Sequence, residues 1–113
     1  GDPTAVDIQK RFGMALSRYA VAGLRRFGLQ DAETEVVISG SIFKNRTPIL
    51  RNAVEAGIHA HIPRAIVREA RYEPVVGGVQ IALDHLSGGF LTEPDILLRL
   101  EQSAAKLQLI RLV

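Results

Sequence analysis

Apolar residues recur at helical spacing in several long stretches of the chain, with short continuous apolar runs between them. The first stretch begins after Asp2-Pro3, where Thr4 and Asp7 have the spacing of a capping box, and it ends at Gly28. This pattern predicts a long helix that packs on the core with one apolar side. The residues predicted for that side are Ile8, Phe12, Ala15, Leu16, Tyr19, Ala20 and Phe27.

Two short apolar runs are typical of β-strands, at residues 34–43 and 65–72. The run Val36-Val37-Ile38 has no polar alternation, so we expect helices to cover both faces of this strand, as in parallel sheets. Between the strands, Thr47-Pro48 starts a helix that extends to about Ala60. Gly57 within this helix indicates close packing, which we expect to be against the sheet.

Two further helices follow the second strand. Residues 75–86 have apolar positions at helical spacing, and Ser87-Gly88-Gly89 ends this helix. Residues 92–95 repeat the capping-box spacing and open a last helix. The order helix, strand, helix, strand, helix, helix predicts an α/β fold: a right-handed βαβ unit flanked by helices.

The length of 113 residues allows a single domain with a modest core. Two strands make a poor parallel sheet, because parallel pairs occur almost only inside larger covered sheets. Either another chain supplies neighbouring strands, or this chain is a piece of a larger protein. The sequence assigns no role to the C-terminal helix and tail at residues 91–113.

Composition excludes several classes of function. The absence of cysteine rules out disulfides and thiolate chemistry, so a reducing, cytoplasmic setting is expected. A net charge of +2 from scattered arginines, with 5% aromatic residues, does not predict nucleic-acid binding. No apolar run approaches the roughly 18 residues that indicate a membrane span, and the N-terminus lacks the features of a signal peptide.

The candidate chemistry is concentrated at the turn Gly40-Ser41, which follows the apolar run of the first strand. Ligands of open α/β sheets bind at the carboxyl ends of strands, and glycine lets a ligand approach the backbone closely.

The other candidate residues give weaker signals. His59 and His61 lack the spacing of metal ligands, so no metal site is predicted. The pair Gly77-Gly78 either donates N–H groups to an anion or allows close helix packing. No catalytic residue is predicted.

Three segments together carry a family resemblance: residues 37–43, 48–60 and 74–83. Their order resembles the C-terminal end of the BadF/BadG/BcrA/BcrD ATPase family, which includes N-acetylglucosamine kinase. That family belongs to the actin-like, sugar-kinase and Hsp70 superfamily. The resemblance covers about residues 5–86, and Gly78 departs from it because the family usually has alanine there.

The resemblance implies part of a ribonuclease-H-like lobe in a two-lobed protein that binds ATP and Mg²⁺ between its lobes. It implies that Gly40 and Ser41 lie against the adenosine, and that Lys44 reaches the nucleotide edge or solvent. The family's phosphate-binding turns and catalytic aspartate lie upstream of this segment. We therefore expect this chain alone to be inactive in transferring the γ-phosphoryl group to a sugar hydroxyl or to water. Its expected partner is the missing N-terminal lobe or a second copy. The alternative is a stand-alone interaction module that dimerises without catalysis.

Overall fold

The computed structural model describes residues 2–44, 47–89 and 94–110. In chain order the described elements are α1 (Pro3–Arg26), β1 (Glu35–Ile38), a 3-10 helix (Ser41–Lys44), α2 (Ile49–His59), β2 (Ile66–Glu69), α3 (Pro74–Ser87) and α4 (Pro94–Lys106). The chain divides into two compact units, Gly1–Glu69 and Ala70–Val113. None of the helices in the described residues combines the length and the apolarity needed to cross a membrane.

The first unit contains a two-stranded parallel sheet, with Glu35 paired to Ile66 at one end and Ile38 to Glu69 at the other. Because α2 connects the two strands, the predicted mixed α/β order is confirmed. Both strands are shorter than predicted. The first stops at Ile38 because the chain turns at Gly40 and then winds into the 3-10 helix, where the Phe43 N–H donates to the Gly40 carbonyl over 3.2 Å.

The core of the first unit lies on one face of this sheet. Its buried residues come from α1, both strands, α2 and the loop that follows α2: Val21, Ile38, Leu50, Val54, Ile58, Ile62, Ala65 and Val67. The opposite face carries Val37, which is 58% exposed, and an ion pair of 2.8 Å between Arg68 and Glu35. The prediction that both faces of β1 are covered is therefore wrong for this chain.

Helices α1 and α2 meet through small residues. Gly13, Ser17 and Val21 are the buried residues of α1, spaced four apart on one face. A Cβ atom added to Gly13 would lie 2.5 Å from the Cβ of Ala53, and one added to Gly57 would lie 2.6 Å from the Cβ of Ser17. Gly57 therefore permits close packing as predicted, but against α1 and not against the sheet.

The predicted core side of α1 is consequently wrong in large part. Ile8, Phe12, Tyr19 and Phe27 are between 42% and 78% exposed, whereas Leu16 and Ala20 are half-buried against the core. The cap also differs, because the side chain of Asp2, not Thr4, accepts the first free N–H of the helix: Thr4 N–H donates to Asp2 Oδ1 over 2.9 Å.

The second unit contains α3 and α4. Helix α3 ends at Ser87, as predicted, with Gly88 in the left-handed conformation, and Val76 is its buried residue. The apolar positions predicted at helical spacing are exposed at Val75, Val79, Ala82 and Leu86 and half-buried at Leu83. The predicted cap at residues 92 and 93 lies outside the described residues. A bridge between Tyr72 and Ile110 joins the start of this unit to the residues after α4.

One polar cluster supports that junction. The Tyr72 hydroxyl donates to Glu101 Oε1 over 3.2 Å, and the same carboxylate forms an ion pair with Arg71. Desolvation, followed by the hydrogen bond to Glu101, raises the pKa of Tyr72 above its ordinary value of 10.0. This cluster is structural because each of its polar groups has its partner inside the unit.

Candidate ligand-binding cleft

The turn after β1 has the properties that a ligand-contacting turn requires. Gly40 has a φ of 118°, a value that side-chain-bearing residues rarely adopt. A Cβ placed on Gly40 would meet no atom of the described residues within 4 Å, so with respect to them the space beside this backbone is open. The structure thus places the predicted turn at the carboxyl end of β1, with room for another group next to it.

A cleft of about 320 Å³ lies at this end of the sheet. The 3-10 helix contributes Ile42 and Phe43, and Glu69 is the last residue of β2. The start of α2 and the residues before it contribute the rest of the lining: Thr47, Pro48, Leu50 and Arg51. The cleft is therefore built where both parallel strands end, which is the usual place for a ligand in an open α/β sheet. Its volume is at the lower end of the roughly 300–1,000 Å³ typical of ligand pockets.

The cleft combines an apolar wall with two opposite charges. Ile42, Phe43 and Leu50 form the wall, and Arg51 Nη1 lies 3.9 Å from Glu69 Oε1. The Nε atom of Arg51 is buried and has no hydrogen-bond partner among the described residues.

The predicted site residues border this cleft without lining it. Gly40 and Ser41 immediately precede Ile42, and Lys44 immediately follows Phe43; Ser41 and Lys44 are exposed. Sequence reasoning missed Arg51 and Glu69. The available signals were a charged residue in the first turn after Thr47-Pro48 and a carboxylate near the end of the second apolar run.

The other candidate residues show no comparable arrangement. Nε2 of His59 lies 2.8 Å from the carbonyl oxygen of Ala65, a local structural contact, and His61 is exposed. The described residues contain no group of three or more potential metal ligands. Gly77 and Gly78 follow the first turn of α3, and added Cβ atoms there would meet nothing within 4 Å, so neither explanation of this pair gains support.

A second cleft of about 550 Å³ lies at the end of α3. Its lining includes Ile81, Asp84, His85 and the glycines that end the helix. It is shallow and open, and the polar side chains that line it among the described residues, Asp84 and His85, are neighbours on one helix. We therefore regard the cleft beside Gly40 as the candidate site.

Comparison with known proteins adds no relative to this picture. The chain matches no protein-family model, no curated protein and no solved structure. The family resemblance therefore stays a prediction.

Proposed function

We propose that this chain is the ATP-binding C-terminal portion of an actin-like ATPase or amino-sugar kinase, and that its βαβ unit is part of a ribonuclease-H-like lobe. The observation that carries the proposal is the cleft at the shared carboxyl end of β1 and β2, beside a glycine with open space around it. The order of the elements and the sequence resemblance support the same function.

Each part of the cleft has a role in holding adenosine. The apolar wall of Ile42, Phe43 and Leu50 suits the face of a purine ring. Arg51 offers guanidinium N–H donors and Glu69 a carboxylate acceptor for the polar edges of the base or ribose. Gly40 lets the ribose approach the backbone, while Ser41 and Lys44 lie at the rim.

The phosphates belong to another part of the parent protein. In-line transfer of the γ-phosphoryl group to a sugar hydroxyl or to water needs Mg²⁺ and a group that positions the nucleophile. The described residues hold no cluster that could bind a metal ion. The proposal therefore assigns Mg²⁺ and the acceptor to the missing N-terminal lobe, in a cytoplasmic parent, and it predicts no ATP turnover by this chain alone.

Binding of adenosine and ATP to the chain tests the proposal, measured by isotope-edited NMR titration. We expect weak binding, on the order of a 1 mM dissociation constant, or about −4 kcal/mol. Adenosine and ATP should bind within about threefold of each other because the base and ribose provide the contacts. Shifted resonances should map to residues 40–43, 50–51 and 69.

Two valine substitutions separate ligand exclusion from backbone strain. Gly40→Val should abolish adenosine binding, because its side chain would occupy the space beside the cleft. Gly28→Val is the matched control, since Gly28 also has a left-handed φ (69°) and open surroundings but lies far along the chain from the cleft residues. Equal affinity in both variants would show that the turn is only a connection. ATP binding far tighter than adenosine binding would contradict the assignment of the cleft to the nucleoside.

The second candidate function is a non-enzymatic module that associates with a second copy. It is favoured by the open sheet face, where Val37 is 58% exposed, and by the two described strands, each paired on one edge only. Association that is independent of nucleotide, in a chain that does not bind adenosine, would favour this function over the first.

A further inference from the structure

Helix α1 carries a second apolar face, which is exposed. Its members are separated alternately by three and four residues and are all exposed: Ala5, Ile8, Phe12, Ala15, Tyr19 and Ala22. The large side chains among them are 61% (Ile8), 42% (Phe12) and 78% (Tyr19) exposed. We call this set the α1 stripe. It runs along the helix beside the face that packs against α2.

The spacing of the α1 stripe is that of a coiled-coil seam. Alternating steps of three and four residues correspond to the a and d positions of a heptad, which insert between the side chains of a facing helix. The stripe continues through most of the 24 residues of α1. An exposed apolar seam of this length and regularity marks an interaction surface.

The charges beside the stripe define the chemistry of the partner. Arg11, Arg18 and Arg25 lie seven residues apart and occupy the flanking g positions of the same heptad. Arg11 pairs with Asp7 over 2.8 Å in an exposed ion pair, whereas Arg18 and Arg25 have no ion pair among the described residues. Arg18 and Arg25 therefore give one side of the seam positive charge that no ion pair among the described residues offsets.

This charge pattern disfavours a second copy. In an antiparallel pair, g positions face g positions, so arginine would meet arginine. In a parallel pair the arginines would face the e positions, which hold Gln9, Leu16 and Gly23 and supply no negative charge.

The small area of the α1 stripe also disfavours a second copy. At about 1.5 Å per residue, α1 is roughly 36 Å long, and a seam about 10 Å wide covers on the order of 400 Å². A stable interface buries about 800 Å² per partner.

We propose that the α1 stripe docks one amphipathic helix of a partner protein, with apolar a and d positions and with Asp or Glu at the flanking positions. The expected affinity is micromolar, because a single helix fills a narrow seam and the flanking ion pairs are exposed. This proposal is independent of nucleotide binding, since no residue of the stripe or its flank lines the cleft beside Gly40.

A pair of synthetic helical peptides of about four heptads tests the proposal against the full chain. Both have leucine at a and d; one has glutamate at e and g, the other lysine. By fluorescence anisotropy the glutamate peptide should bind at least about tenfold more tightly than the lysine peptide, and higher salt should reduce that difference. The double variant R18E/R25E should invert the preference.

Substitutions within the stripe locate the binding. Tyr19→Asp and Ile8→Asp should each abolish binding of the glutamate peptide, and circular dichroism should show an unchanged fold because both side chains are exposed. Leu86→Asp is the control: Leu86 is 82% exposed on α3, and its substitution should leave binding unchanged.

Four results would overturn the proposal. They are equal affinity for the two peptides, no binding of either peptide, a homodimer that Tyr19→Asp dissociates, and binding through the stripe to phosphatidylserine vesicles in place of the glutamate peptide.

Discussion

The contact between α1 and α2 depends on side chains that are small or absent. Ser17 is 2% exposed, and its hydroxyl donates to the carbonyl oxygen of Met14 over 2.8 Å, so its polar group is satisfied inside the interface. Opposite Ser17, any Cβ at Gly57 would collide with the serine hydroxyl. An added methyl group at Gly57 would also lie 2.6 Å from the Cβ of Ser17, which is attached directly to the backbone. Because protein interiors are close-packed, rotation of the serine hydroxyl is not enough, and the backbone of one helix must move.

Three glycine-to-alanine substitutions test this contact. Gly13→Ala and Gly57→Ala should each lower the free energy of unfolding by about 1–3 kcal/mol through overpacking. Gly23→Ala, in the same helix as Gly13, should raise it by about 0.5–1 kcal/mol, because alanine favours the helix and its Cβ meets no atom within 4 Å. Urea denaturation measures all three. Stabilisation by Gly57→Ala would mean that the helices lie further apart than described.

At the scale of whole elements, substitutions at the start of α1 test which residue, Asp2 or Thr4, caps this helix. Asp2→Ala should cost about 0.5–2 kcal/mol because it removes the acceptor for the Thr4 N–H. Thr4→Ala should change stability by less than about 0.5 kcal/mol, since Thr4 is exposed and within the helix. Thermal unfolding of the two variants provides the measurement. A larger loss of stability for Thr4→Ala than for Asp2→Ala would instead support the capping box predicted from the sequence.

The elements themselves were largely predictable because their boundaries are marked locally. Gly88 adopts the left-handed conformation that its sequence context predicts, and Pro74 begins α3. The end of β1 was predicted too late, because Ile42 and Phe43 are apolar again after Ser39-Gly40-Ser41, whereas a local hydrogen bond from the Phe43 N–H to the Gly40 carbonyl winds them into the 3-10 helix.

The packing faces were the least predictable feature. Hydropathy patterns select the largest apolar side chains, which on α1 belong to the exposed stripe. The buried face uses Gly13 and Ser17, whose role becomes visible only when α2 lies against them. The same limit applies to the cleft. The turn at Gly40 has a sequence signal, but Arg51 and Glu69 come together only through the parallel pairing that brings the two strand ends to one edge.

At the scale of the whole molecule, the open sheet face predicts self-association. We expect the chain to form a homodimer or higher oligomer through strand edges or through this face. Val37→Lys should shift the population towards monomer. Val75→Lys should not, although Val75 on α3 is nearly as exposed, at 57% against 58%. Light scattering coupled to size exclusion at micromolar concentration measures the mass. A monomer that is unchanged by dilution would show that two strands with one covered face are stable unaided.

The contact between Ser17 and Gly57 forms only after the ribosome has synthesised both helices. Helix α2 ends at His59, 33 positions after the end of α1 at Arg26 (59 minus 26), and a ribosome adds about 5–20 residues each second, so α1 is complete for roughly 2–7 s before its partner helix is complete. During translation α1 therefore exposes the α1 stripe together with the face that later packs against α2. A nascent-chain chaperone would meet both faces until α2 covers one of them. The other side then stays available to whatever protein the finished chain meets.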